Sequence, residues 1–132
     1  SKDACMALEP GDHGSTFGGN ALTCAAAYAS TKYIIDHKVP DNARAMGKRL
    51  MDGLNALKKR FSFIKEVRGR GLLVALEFTD TLTPKVMPLA NEAGILLNPV
   101  KPNALRFMPP LTITAQEVDE GLNRLEAAFK KL

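Results

Sequence analysis

Residues 11–20 read Gly-Asp-His-Gly-Ser-Thr-Phe-Gly-Gly-Asn and stand directly ahead of an alanine-rich run over residues 21–33. Glycines let a backbone turn tightly and come close to a ligand. If Asn20 caps the helix that follows, the hydroxyls of Ser15 and Thr16 meet free N–H groups at the positive end of a helix dipole. Such a place suits a phosphate group. No lysine follows the glycines as in a Walker loop, so a glycine-rich turn that only begins a helix remains the alternative.

Composition narrows the class of protein. The chain has 132 residues, 45% hydrophobic and 24% charged, with a net charge of +4; these values are typical of one globular domain. A surface that stacks nucleic-acid bases has aromatic residues among its basic ones, and this sequence does not show that pattern. No apolar run reaches membrane-spanning length. His13 and His37 have no companions at metal-ligand spacing. With no signal-peptide pattern, the sequence predicts a cytoplasmic protein without nucleic-acid, membrane or metal partners.

Hydrophobic periodicity predicts four helices and four strands. The first helix covers residues 20–37 and the second begins at Asp41 or Asn42 as its cap. Strands are predicted at residues 64–68, 72–78, 95–98 and 105–108; Thr83 is expected to cap a third helix, and a capping box of Thr114 and Glu117 to open the fourth. This order predicts an α+β fold, in which helices cover a small, mostly antiparallel four-stranded sheet.

Arg106 is the second informative residue. On a strand, its side chain points away from the face that Leu105 and Phe107 share. A cation placed between two apolar neighbours needs water, a protein carboxylate or a ligand carboxylate, and a guanidinium matches a carboxylate with two parallel hydrogen bonds. A surface salt bridge on an edge strand is the commoner arrangement, so the residues alone leave both interpretations open.

Four segments occur in the order HGSTFGGNAL, TCAAA, VRGRGLL and LRFMPPLTIT. Together they resemble the C-terminal third of class III pyridoxal-phosphate-dependent aminotransferases, over residues 10–132. The resemblance implies the C-terminal small domain of a fold-type I transferase. It also implies three parts: an arm from the large domain over residues 1–19, an interdomain helix over residues 20–38, and the small domain over residues 39–132.

The same resemblance implies site residues. In the family the threonine of the GST segment binds the phosphate of pyridoxal 5'-phosphate held by the other subunit of a homodimer, which corresponds to Thr16, with Ser15 beside it. The arginine of the LRF segment holds the substrate's α-carboxylate, which corresponds to Arg106. The lysine that binds the cofactor covalently and the acid that pairs with its ring nitrogen lie upstream of these segments in the family. Lys2 lacks that lysine's context, so we expect no catalytic residue here and no activity of this chain alone.

The implied reaction transfers the terminal amino group of N-acetylornithine to 2-oxoglutarate, in arginine biosynthesis. The partners that it implies are amino-acid and 2-oxo-acid substrates, and two alternatives stay open. One is another class III enzyme, acting on ornithine or 4-aminobutyrate. The other is a free-standing regulatory or ligand-binding module, because small α+β folds also serve that way.

Overall fold

The structure is a computed structural model that describes Met6 and residues 14–132. Its helices and strands follow the predicted order. They are α1 (Ala21–Asp36), α2 (Val39–Arg60), β1 (Ile64–Arg70), β2 (Leu73–Phe78), α3 (Thr83–Glu92), β3 (Asn98–Lys101), β4 (Ala104–Phe107) and α4 (Ala115–Phe129). The chain divides into two compact units, Ser1–His37 and Lys38–Leu132. The first contains α1, and the second contains the sheet with the other helices.

Helix α1 begins where the sequence predicts. The side chain of Asn20 accepts a hydrogen bond from the backbone N–H of Thr23 at 3.0 Å, which satisfies one of the free donors of the first turn. The apolar residues of this helix recur at helical spacing and form a stripe, which predicts close packing against another element. No residue of α1 is buried by the described part of the chain, and Leu22 is 80% exposed.

The four strands form one antiparallel sheet in the order β1-β2-β4-β3. Strands β1 and β2 form one hairpin, and β3 and β4 form the other. The central pair is β2 with β4, in which Ala75 lies opposite Arg106. The predicted antiparallel four-stranded sheet is therefore confirmed, with β1 and β3 at its edges.

The core of the second unit lies between one face of this sheet and the helices. Strand β2 turns one face inward, because its alternate residues are buried while the residues between them are not. Helices α2 and α4 contribute apolar side chains at helical spacing. The buried residues of these three elements include Val74, Leu76, Phe78, Leu50, Leu54, Leu57, Val118, Leu125 and Phe129. Burial of each large apolar side chain stabilises the fold by roughly 1.5–3 kcal/mol.

The turn between β1 and β2 lies directly against α2. A Cβ atom added to Gly47 would come within 2.3 Å of the backbone carbonyl of Gly71. Gly71 itself has φ +55, a conformation that glycine adopts without strain. Gly71 and Leu72 form the turn, which therefore lies at the close contact with the helix.

The predicted start of α2 was wrong. The helix begins at Val39, after Lys38 with φ 48, and no side chain caps it. Asn42 therefore lies inside the first turn, where its side-chain N–H donates to the carbonyl oxygens of Leu111 (2.8 Å) and Ile113 (3.1 Å). The sequence predicted Asn42 as a possible cap of this helix, but its amide binds a loop that is distant in sequence.

The other strands differ from prediction by one or two residues at an end, and larger differences concern β3 and the start of α3. Strand β3 covers Asn98–Lys101 rather than residues 95–98, so Pro99 lies within the strand. Proline is tolerated there because β3 is an edge strand, and the backbone groups on its outer edge pair with no neighbouring strand of the sheet. Thr83 is the first residue of α3 and is buried, whereas the cap position is Leu82 without a side-chain bond.

Candidate functional site

The glycine-rich loop forms a turn closed by a hydrogen bond from the N–H of Gly18 to the carbonyl of Ser15, at 3.1 Å. Gly19 has φ +73, which favours glycine. Asn20 fixes the loop to the helix, since its side-chain N–H donates to the carbonyl of Phe17 at 2.7 Å while its oxygen caps α1. Each of these hydrogen bonds joins residues that lie three positions apart in the sequence.

Ser15 and Thr16 are exposed on this loop, and no hydrogen bond within the described residues uses either hydroxyl. The first turn of α1 contains no acidic residue that would repel an anion. Exposed hydroxyls beside the positive end of a helix of 16 residues fit a phosphate group. Residues 11–13 of the same glycine-rich stretch, with His13, lie outside the described residues.

Arg106 lies on β4 in the second unit, between Ala75 of β2 and Asn98 of β3. Its side chain is half-buried. Its Nε atom is buried and has no hydrogen-bond partner among the described residues, and its Nη2 donates to Oδ1 of Asn98 at 3.5 Å. No carboxylate of the described residues lies within ion-pair distance of it. The edge-strand salt bridge considered from the sequence is therefore not formed with any described residue.

A cavity of about 430 Å³ opens beside Arg106. Most of its wall is apolar and comes from the segment before β3, from β4, from α4 and from the segment between these last two, including Leu97, Phe107, Ile113, Val118 and Leu122. One amide side chain and two charged side chains also line it: Asn98, Arg106 and Glu117. An apolar cavity with a few convergent polar groups is the usual form of a small-molecule site.

Glu117 lines the cavity, but its carboxylate is engaged elsewhere. It accepts hydrogen bonds from the backbone N–H and the hydroxyl of Thr114, both at 2.8 Å, so the predicted capping box is confirmed. The backbone N–H of Thr114, followed by its hydroxyl, lowers the pKa of Glu117 below its usual value. The carboxylate therefore serves the start of α4, and the cation of Arg106 stays available to a ligand.

The predicted site residues fall in both units. Ser15 and Thr16 belong to the first unit, and Arg106 belongs to the second. Lys2, to which we assigned no role, lies outside the described residues. Sequence reasoning missed Asn98, whose only signal was its position eight residues before Arg106 in a strand–turn–strand pattern. Among the described residues, no group of three potential metal ligands occurs, and no helix is long and apolar enough to cross a membrane.

Comparison with known proteins identifies the family of this chain. A family model for class-III aminotransferases matches residues 1–129. Acetylornithine aminotransferase of Gloeobacter violaceus is 44% identical over 133 residues, which cover 100% of this chain and 33% of that protein. The chain belongs to the class-III aminotransferase family, and it spans about a third of the length of the curated relatives that it matches.

Solved structures agree with this assignment. The acetylornithine aminotransferase from Elizabethkingia anophelis has a TM-score of 0.86 at 32% identity, over 97% of this chain and 34% of that one. An ornithine aminotransferase from Toxoplasma gondii has a TM-score of 0.80 at 38% identity, over 96% of this chain and 31% of that one. That structure is described as having partial occupancy of PLP, pyridoxal 5'-phosphate, at its active site.

Proposed function

We propose that this chain is part of a pyridoxal-phosphate-dependent aminotransferase that transfers the terminal amino group of N-acetylornithine to 2-oxoglutarate, in arginine biosynthesis. The observation that carries this proposal is Arg106, which lines an apolar cavity and whose buried Nε has no partner in the part of the chain that the structure describes. Both substrates have a carboxylate that a guanidinium can bind. The relatives named acetylornithine aminotransferase support the choice of amino donor.

Arg106 has the role of holding the substrate's α-carboxylate. A buried N–H donor without a partner is costly, and a bound carboxylate removes that cost while neutralising the guanidinium. A guanidinium forms two parallel hydrogen bonds with a carboxylate, and these fix the orientation of the substrate. The ammonium group of a lysine is a point charge and does not fix it in this way. Binding in one orientation presents the reacting carbon of the substrate to the cofactor in a repeatable position.

Ser15 and Thr16 have the role of holding the cofactor phosphate. Their exposed hydroxyls and the start of α1 offer hydrogen bonds and positive potential to a dianion. Pyridoxal phosphate, when bound, supplies the electron sink through which an amino group is transferred. We propose that these two residues serve the cofactor of a second subunit, so that the enzyme acts as a homodimer.

We also propose the roles of three segments: residues 1–19 as an arm, residues 20–38 as an interdomain helix, and residues 39–132 as the small domain. The division of the chain into Ser1–His37 and Lys38–Leu132 supports a boundary at this place. The length of the family match, over residues 1–129, favours this enzyme over a free-standing regulatory module.

An aminotransferase acting on ornithine is the second candidate, favoured by the likeness to the Toxoplasma gondii enzyme. Arg106 does not distinguish the two, because ornithine and N-acetylornithine carry the same α-carboxylate. Comparing kcat/KM for the two donors in the full-length protein decides between them. A higher value for ornithine would overturn the choice of N-acetylornithine and leave the class of reaction standing.

The proposal is tested by Arg106→Lys in the full-length protein that carries this chain. The lysine keeps the positive charge and loses the planar fork, so we expect kcat/KM for the half-reaction with glutamate to fall by about tenfold or more. Cofactor content should stay at the wild-type level. Arg70→Lys is the matched control, since Arg70 is exposed and does not line the cavity. Wild-type kinetics of Arg106→Lys would remove Arg106 from the site.

A further inference from the structure

We propose that Asn98 is a positioning residue for Arg106, a neutral acceptor that orients the guanidinium toward a ligand carboxylate without taking its charge. The proposal rests on the proposed function, because it concerns the same carboxylate site. It adds a residue whose chemical type sets how tightly that site binds carboxylates.

The backbone holds Asn98 beside Arg106. The two residues are paired in the register of β3 and β4, and both line the cavity. Pro99 follows Asn98 directly, and a residue before proline is restricted to extended conformations. The direction in which the side chain of Asn98 leaves the strand is therefore fixed by the sequence as well as by the sheet.

The contact leaves the donors that a carboxylate needs. Nη2 of Arg106 has two N–H groups, and Oδ1 of Asn98 accepts from Nη2 at 3.5 Å. The N–H of Nε, one N–H of Nη2 and both N–H groups of Nη1 have no partner among the described residues, so a pair of parallel donors is left to match a carboxylate. A single acceptor on Nη2 limits rotation of the guanidinium and keeps this fork in one orientation.

The neutrality of Asn98 is the second part of the argument. An aspartate at this position would place a carboxylate next to Arg106 and form an ion pair with it. Such a pair competes with a ligand carboxylate and repels it. Glu117, an acid that lines the cavity, already accepts two hydrogen bonds from Thr114. Among the described residues, the amide of Asn98 is thus the acceptor that Arg106 uses, and the positive charge is left for the ligand.

The test uses the full-length enzyme loaded with pyridoxal phosphate and the variants Asn98→Asp and Asn98→Ala. We measure KM and kcat for glutamate, and the inhibition constant of glutarate, a dicarboxylate without an amino group. For Asn98→Asp we expect KM and the inhibition constant to rise by about tenfold or more, with a much smaller change in kcat. Asn98→Ala should raise both by a smaller factor, because orientation is lost and no competing charge is gained.

Asn103→Asp and Asn103→Ala are the matched controls. Asn103 lies in the turn of the same hairpin and does not line the cavity, so the same changes there should leave both constants at wild-type values. A direct readout is the NMR signal of the Arg106 Nε–H group in the 132-residue chain. Saturating glutarate should shift this signal in the wild type, and Asn98→Asp should need a higher concentration for the same shift.

The outcomes separate the two proposals. If both Asn98 variants keep wild-type constants while Arg106→Lys raises them, Asn98 does not position Arg106 and the proposed function stands. If the Asn98 variants lose cofactor or unfold at lower urea while the glutarate constant of the folded fraction is unchanged, the role is structural and the proposal is wrong. A wild-type enzyme that transfers no amino group overturns both.

Discussion

Thr16 carries an exposed hydroxyl in the turn that precedes α1, where the proposed phosphate of the cofactor binds. In the full-length protein we expect Thr16→Ala to weaken pyridoxal phosphate binding by about tenfold or more, because a hydrogen bond to a charged group contributes roughly 1.5–3 kcal/mol. The measurement is the dissociation constant of the cofactor. Thr31→Ala, an exposed threonine on α1, is the control. An unchanged dissociation constant would exclude Thr16 from the phosphate site.

Single residues were predictable when their partners are close in sequence. Asn20 caps α1 through Thr23, and Thr114 pairs with Glu117, as the sequence predicted. The partners of Arg106 could not be found this way, because its contact with Asn98 depends on the register of two strands. Asn42 shows the same limit, since it bonds to Leu111 about seventy residues away. Long-range contacts of polar side chains follow from the packed fold and not from local pattern.

Elements were predictable in kind and order, and less so at their ends. Strand β2 alternates buried and unburied residues, so its pattern identified it directly. Strand β3 has no buried residue, and its bounds had to be judged from neighbouring prolines and apolar residues. Ile95 and Leu97 are partly buried against the core without belonging to a strand. The sequence prediction followed these apolar residues. It therefore placed the strand at residues 95–98 and missed the exposed edge strand that begins at Asn98.

The close contact of α2 with the β1–β2 turn leads to a prediction about Gly47. Its added Cβ would lie 2.3 Å from the carbonyl atoms of Gly71, which are backbone and cannot rotate away. We expect Gly47→Ala to lower the free energy of unfolding by about 1–3 kcal/mol, as overpacking of a core does. Urea unfolding followed by circular dichroism measures this change.

Gly121→Ala in α4 is the matched control, because nothing lies within 4 Å of its added Cβ. Alanine is a better helix former than glycine by roughly 0.5–1 kcal/mol, so this variant should be at least as stable as the wild type. If Gly47→Ala is also stabilising, the two backbones are not in contact in solution and the described packing of α2 on the turn is wrong.

At the scale of the whole molecule, the two units differ in how many apolar residues the described part of the chain buries in each. The second unit, Lys38–Leu132, contains the sheet and the buried apolar residues of its helices. The helix of the first unit has no buried residue in the described part of the chain. The sequence predicted the core of the second unit through periodicity. It could not predict what covers α1, because an apolar stripe does not identify the surface it packs against.

This difference leads to a prediction about the 132-residue chain tested alone. Residues 38–132 carry their own core, so we expect the chain and this shorter piece to unfold cooperatively at similar urea concentrations. We expect neither to transfer amino groups, since the proposed roles of Thr16 and Arg106 are to bind a phosphate and a carboxylate. The assay mixes each with pyridoxal phosphate, glutamate and a 2-oxo acid, with free cofactor as background and the full-length protein as positive control. Transfer by the chain faster than background, abolished by replacing one of its lysines, would show that a covalent cofactor site lies within these residues.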